Sequence, residues 1–133
     1  MSVRNDDAQA IVEFALVLPV LLAAAFAIVL VSELGVARLA LQHATAEGAR
    51  AGALTNEDAQ IRNTLAAAVT PLPADRIATE IIPAEDEPPR NSDPRGSVLT
   101  VRASYELPIP FSLIGFPKIV VHASSARRVE WTP

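Results

Sequence analysis

Cysteine is absent from the 133 residues, and that absence removes several possibilities at once. No disulfide framework can staple the fold, no thiolate can hold a metal, and no thiol can serve as a nucleophile. Aromatic side chains are scarce as well, at 5% of a chain that is half hydrophobic and rich in alanine. Positive charge is in short supply: the formal net charge is −4 and no basic patch is visible. Neutralising phosphates needs such a patch, so the charge argues against nucleic acid as a partner. Histidine occurs only as His43 and His122, neither with a second ligand at metal spacing. There is no nucleophile elbow and no phosphate-binding loop. No catalytic centre, metal, cofactor or small-molecule substrate is therefore expected, and both histidines read as surface residues. The chain also lacks internal repeats, a low-complexity tail and a glycosylation triplet.

What the chain does have is one long apolar run. Residues 9–31 read QAIVEFALVLPVLLAAAFAIVLV, with Glu13 the only charge and Pro19 the only break. Residues 14–31 carry no strongly polar side chain, enough for a helix to cross a hydrocarbon core about 30 Å thick. A buried helix of a soluble protein is rarely so uniform, and a membrane span is predicted. Glu13 is the unusual feature, because a carboxylate one turn inside an apolar helix costs several kcal/mol unless neutralised, paired or kept near the interface. Pro19 removes one backbone hydrogen bond and is expected to kink or locally melt the helix. Neighbouring groups in a membrane can satisfy the freed carbonyl.

The preceding residues 1–8, MSVRNDDA, are polar and match no element. A secretory signal peptide needs a basic start, a shorter apolar run and a small-residue cleavage site beyond it. Here the run is too long, and Asp6 and Asp7 counter the single base, Arg4. Arg4 and the amino terminus favour the cytoplasmic side, which puts the domain after the helix outside the cytoplasmic membrane.

A polar leader, an acid near the start of an apolar helix and the segment QAIVEFALVLPVLL together resemble the opening of TadE-like minor pilins (pseudopilins) of tight-adherence, type IV-like pili. The following segment, SELGVARLALQHATAEGARAGA at residues 32–53, is similar to the stretch after the membrane span in that family. The resemblance covers residues 1–53 well and rests beyond them on a strand with Tyr105 and a last strand ending in Arg-Arg-Val-Glu. It implies a prepilin-type leader at 1–8, cut between Ala8 and Gln9, with Glu13 as the glutamate at the fifth mature position. The family usually has glycine before the cut, and Ala8, its nearest steric substitute, stands there. The implied partners are other pilins, pilus assembly proteins, a prepilin peptidase and the lipid bilayer. The implied setting is the cytoplasmic membrane or an extracellular pilus that mediates adhesion.

The chemistry of Glu13 can be argued beside the resemblance. Cleavage after Ala8 would free an α-amino group on Gln9, one helical turn from Glu13 and largely cationic at neutral pH. Two staggered helices can then pair the amine of one with the carboxylate of the other. An unpaired charge in low dielectric is heavily penalised, so pairing selects one register. The alternative is that Glu13 snorkels to the headgroups and has no further role.

Past residue 31 the polarity changes while the helical period persists. Ala37, Leu41, Ala44, Gly48 and Ala51 recur at spacings of four and three, with Arg38, Gln42, His43, Glu47 and Arg50 on the other faces. The helix is expected to continue to about residue 53, its small-residue stripe seating either the protein's own domain or a neighbouring helix. Gly48 and Gly52 are read as loosening near its end. The organisation is then leader 1–8, transmembrane helix 9–31, helical extension 32–54 and a small extracytoplasmic domain 55–133.

In that domain Asn56 is expected to cap a second helix, with Glu57 and Asp58 in the first turn. Ile61, Leu65, Ala68 and Val69 form its inner face, and Pro71 and Pro73 stop it. Ile77, Thr79 and Ile81 alternate as a short strand. Residues 83–96 carry four prolines and read as solvated loop; Glu85, Asp86, Glu87 and Asp93 lack calcium-loop spacing. Residues 97–107 are the clearest strand, with Leu99, Val101, Ala103, Tyr105 and Leu107 on one face. Pro108, Pro110 and Pro117 bracket a bend bearing Phe111, Leu113, Ile114 and Phe116, either a surface contact or a segment folded under the sheet. Residues 118–130 close as a strand with Ile119, Val121 and Ala123 inward. The predicted fold class is α+β: a long N-terminal helix, a short second helix and a three- to four-stranded antiparallel sheet. The predicted role is structural, as a minor pilin contributing to pilus assembly. The alternative is a single-pass anchored binding module that is neither processed nor polymerised.

Overall fold

The structure is a computed structural model that describes residues 3–108, 115 and 118–132, with side chains described from residue 7 onward. The chain divides into two compact units, Met1–Glu33 and Leu34–Pro133.

The first unit is helical throughout its described part. Helix α1 (Val3–Thr55) begins in it and runs through Pro19 as one helix. Residues 1–8 were expected to form no element, but α1 already starts at Val3. No glycine or proline precedes Pro19, so the backbone of that polar stretch offers nothing that opposes helix. From Ile11 to Val29 the large apolar side chains stand open, Ile11 at 69% and Phe14 at 64%.

In the second unit α1 changes character. Ala37, Ala40, Leu41, Ala44, Thr45, Gly48, Ala49, Gly52 and Ala53 are buried, a wider stripe than the periodicity suggested. Thr45 is tolerated inside because its hydroxyl donates to the Leu41 carbonyl at 2.9 Å, which satisfies the polar atom locally. Gly52 does not loosen the helix, as its sequence position suggested. A methyl group built there would collide with the side chains of Leu99 and Ile61, so glycine is what allows sheet and second helix to approach α1.

Helix α1 ends at Asn56, whose φ of 57° is left-handed and whose N–H donates to the Gly52 carbonyl at 2.9 Å. This is a C-terminal stop, a position where asparagine is the usual substitute for glycine. Asn56 was expected to cap the second helix; instead it closes the first. Helix α2 (Asp58–Ala68) has Glu57 at its N-cap and no side-chain cap. Its inner face is Ile61 and Leu65, continued by Val69.

The sheet is an antiparallel meander, β1 (Ile77–Ile82), β2 (Val98–Leu107) and β3 (Ile119–Arg128), in the order β1-β2-β3. The α+β architecture is as predicted, with three strands. In β2 the expected face is the buried one: Leu99, Val101, Ala103, Tyr105 and Leu107 are all inside. β1 and β3 add Ile81, Val121 and Ala123. Lys118, just before β3, reaches exposed Glu106 at 2.8 Å, and the hydrogen bond and negative charge hold its ammonium above the usual lysine value. After β3 the chain returns to the end of α1, where the N–H groups of Glu130 and Trp131 both donate to the Ala53 carbonyl. The apolar bend with Phe111, Leu113, Ile114 and Phe116 lies outside the described residues.

Candidate membrane anchor and assembly site

All four residues singled out by the sequence, Ala8, Gln9, Glu13 and Pro19, lie on α1 within the first unit, and all four are exposed. The helix repeat places Gln9 and Glu13 on one side, a turn apart. Glu13 makes no ion pair among the described residues. Around it Ile11, Val12, Phe14, Leu16 and Val17 are more than half exposed. In water this would be an unfavourable surface, with a lone carboxylate inside it. In a bilayer the apolar side chains are solvated by lipid, and Glu13 sits near the start of the span, where a carboxylate can reach the headgroups. The most apolar 18-residue window of α1 has none of its residues buried within the chain. At the far end of the span the Ser32 hydroxyl donates to the Ile28 carbonyl at 2.8 Å, so that polar group needs no water.

Residues 8–50 match the model of the TadE-like protein family. The TadE-like segment opens at Ala8 and takes in Gln9, Glu13, Pro19 and the small-residue stripe of α1 as far as Arg50, about a third of the chain. It points to an association with tight-adherence pili, and the one long apolar N-terminal helix fits a single-pass membrane anchor. No curated protein and no solved structure matches the chain.

Outside the TadE-like segment lies a second polar constellation that the sequence reading missed. Arg90, in the proline-rich loop read as solvated, is 1% exposed. Its Nε donates to the Asn56 side-chain carbonyl at 2.9 Å and its Nη2 to the Asn56 backbone carbonyl at 3.0 Å. Nη1 reaches Asp58 Oδ1 at 2.5 Å and the Pro83 carbonyl at 2.8 Å. Asn56 Nδ2 returns a bond to the Arg90 carbonyl at 3.2 Å. Glu85 and Asp58 each accept from the other's backbone N–H. One guanidinium thus ties the end of α1, the start of α2 and the exit of β1 to the loop. An arginine in a loop has no periodicity to betray it; the only local sign is its place directly after Pro88-Pro89.

His43 and His122 are exposed, the latter beside an open cavity of about 680 Å³ that also touches Arg38, Gln42, Glu80 and Arg102. Among the described residues no group of three or more His, Asp or Glu side chains is placed to hold a metal.

Proposed function

We propose that this chain is a TadE-like minor pilin: a structural subunit, not a catalyst, that contributes to assembly of a tight-adherence pilus. The observation that carries the reading is that the TadE-like match spans the apolar run 9–31, whose single carboxylate, Glu13, stands exposed near its start. In this reading a prepilin peptidase cuts between Ala8 and Gln9. The helix stays in the cytoplasmic membrane, with the domain outside, until the subunit joins a pilus. The new amine on Gln9 of one subunit pairs with Glu13 of a neighbour, and the cost of an unpaired charge in lipid fixes the stagger between them. Pro19, which lacks one backbone hydrogen bond, gives the packed helix a place to bend.

Substitution of Glu13 tests the role directly. Glu13→Ala and Glu13→Gln should leave peptidase cleavage and membrane insertion intact, since losing a charge makes insertion easier. Both should reduce surface piliation and cross-linking to other pilins. Normal piliation and cross-linking in both variants would remove the assembly role. A mature terminus mapped beyond residue 31 would mean an ordinary signal peptide and overturn the pilin reading altogether.

A further inference from the structure

The open sheet has two edges, and they are not equivalent. The Val129 N–H donates to the Ser97 carbonyl at 2.9 Å, which makes that pair hydrogen-bonded and fixes the alternation along β2 and β3. With the observed register, residues 119, 121, 123, 125 and 127 of β3 direct their backbone groups to β2. Val120, His122, Ser124, Ala126 and Arg128 therefore direct theirs away from the sheet. The same alternation leaves Ile77, Thr79 and Ile81 outward on β1.

On β1 that edge is short and partly closed, because Arg62 of α2 donates its Nη1 to the Thr79 carbonyl at 3.2 Å. On β3 none of the outward N–H or C=O groups has a hydrogen-bond partner among the described residues. The strand is 10 residues long and contains no proline, glycine or lysine, so it has few of the devices that blunt free edges. Its sequence, IVVHASSARR, holds two arginines and a histidine and no acid, within a chain whose net charge is −4.

We propose that the outer edge of β3 is a strand-docking site for an extended, acidic segment of another protein. Main-chain bonds to the five outward residues supply the pairing, and carboxylates at alternate positions meet His122 and Arg128, which share the exposed face of β3. Two copies of β3 paired with each other would carry four arginines and no acid, so self-pairing lacks the charge complementarity that an acidic strand supplies. The inference stands apart from the pilin reading: it concerns the Leu34–Pro133 unit and needs neither cleavage nor Glu13.

The test uses the full chain in detergent micelles and a synthetic peptide of about ten residues that alternates glutamate with valine. Binding should slow amide exchange by about tenfold or more at Val120, His122, Ser124, Ala126 and Arg128, leaving the odd-numbered amides, already paired with β2, unchanged. Ser124→Pro removes an outward N–H without touching the β2 ladder, so it should retain the fold and lose the peptide. Should that variant fail to fold, a peptide N-methylated at alternate residues gives the same readout on the unaltered protein and should not bind. Raising salt should weaken the complex. Equal binding of a lysine–valine peptide, unchanged exchange at the five amides, or their protection by self-association in the absence of peptide would each overturn the proposal.

Discussion

Two glycines four residues apart on α1 have opposite meanings. At Gly48 an added methyl group would meet Ile61 and Leu65 at 3.5 Å, an ordinary contact, whereas at Gly52 it would lie 2.6 and 2.8 Å from Ile61 carbons and closer still to Leu99. Gly48→Ala should therefore be neutral or stabilise by about 0.5–1 kcal/mol, the helix-propensity difference. Gly52→Ala should destabilise by about 1–3 kcal/mol, since Ile61 and Leu99 must shift out of a packed core. Thermal unfolding of the two variants side by side in detergent checks the pair. Similar midpoints would show that α1 and β2 are less closely seated than the structure has them. Both glycines look alike in the sequence, since spacing shows which face a residue occupies but not how near the next element comes.

Among the elements, Arg90 is what holds the connections in place. Removing the guanidinium strands the Asn56 and Pro83 carbonyls and the Asp58 carboxylate, whose side chain is only 18% exposed. Arg90→Ala should cost about 3–5 kcal/mol, the range for breaking a buried pair from one side. Arg90→Lys should restore little, because an ammonium cannot reproduce a fork that serves Asn56, Asp58 and Pro83 together. The control is Arg95→Ala in the same loop, where the side chain is exposed; it should leave the unfolding midpoint nearly unchanged. Equal midpoints for Arg90→Ala and Arg95→Ala would show that the buried fork adds nothing.

For the whole molecule, the governing fact is that α1 changes character along its length. From Ile11 to Val29 its large side chains are open, and from Ala37 onward one side is core. Residues 14–31 should hold the full chain in membranes through carbonate extraction, and deletion of residues 9–31 should release it. Recovery of the intact chain in the soluble fraction without detergent would contradict the anchor.

The patterns that needed only one element were legible in the sequence. The apolar run marked a helix that fits a membrane anchor, alternation marked the inner face of β2, and the segment from Ala8 to Arg50 carried the family match. Those signals survive because they depend on a period of about two or 3.6 residues along one piece of chain. Asn56, Arg90 and Gly52 were misread or missed because their partners lie elsewhere. Asn56 and Arg90 are 34 positions apart, and the neighbours that make Gly52 obligatory come from α2 and β2. The free edge of β3 is likewise invisible from its own residues, since strand order is a property of the sheet. The sequence by itself determined the long apolar run, its lone carboxylate and the α+β class. The tertiary structure decided which loop is buried, which glycine is essential and which edge stays open, because each of those depends on distances between elements that no local period encodes.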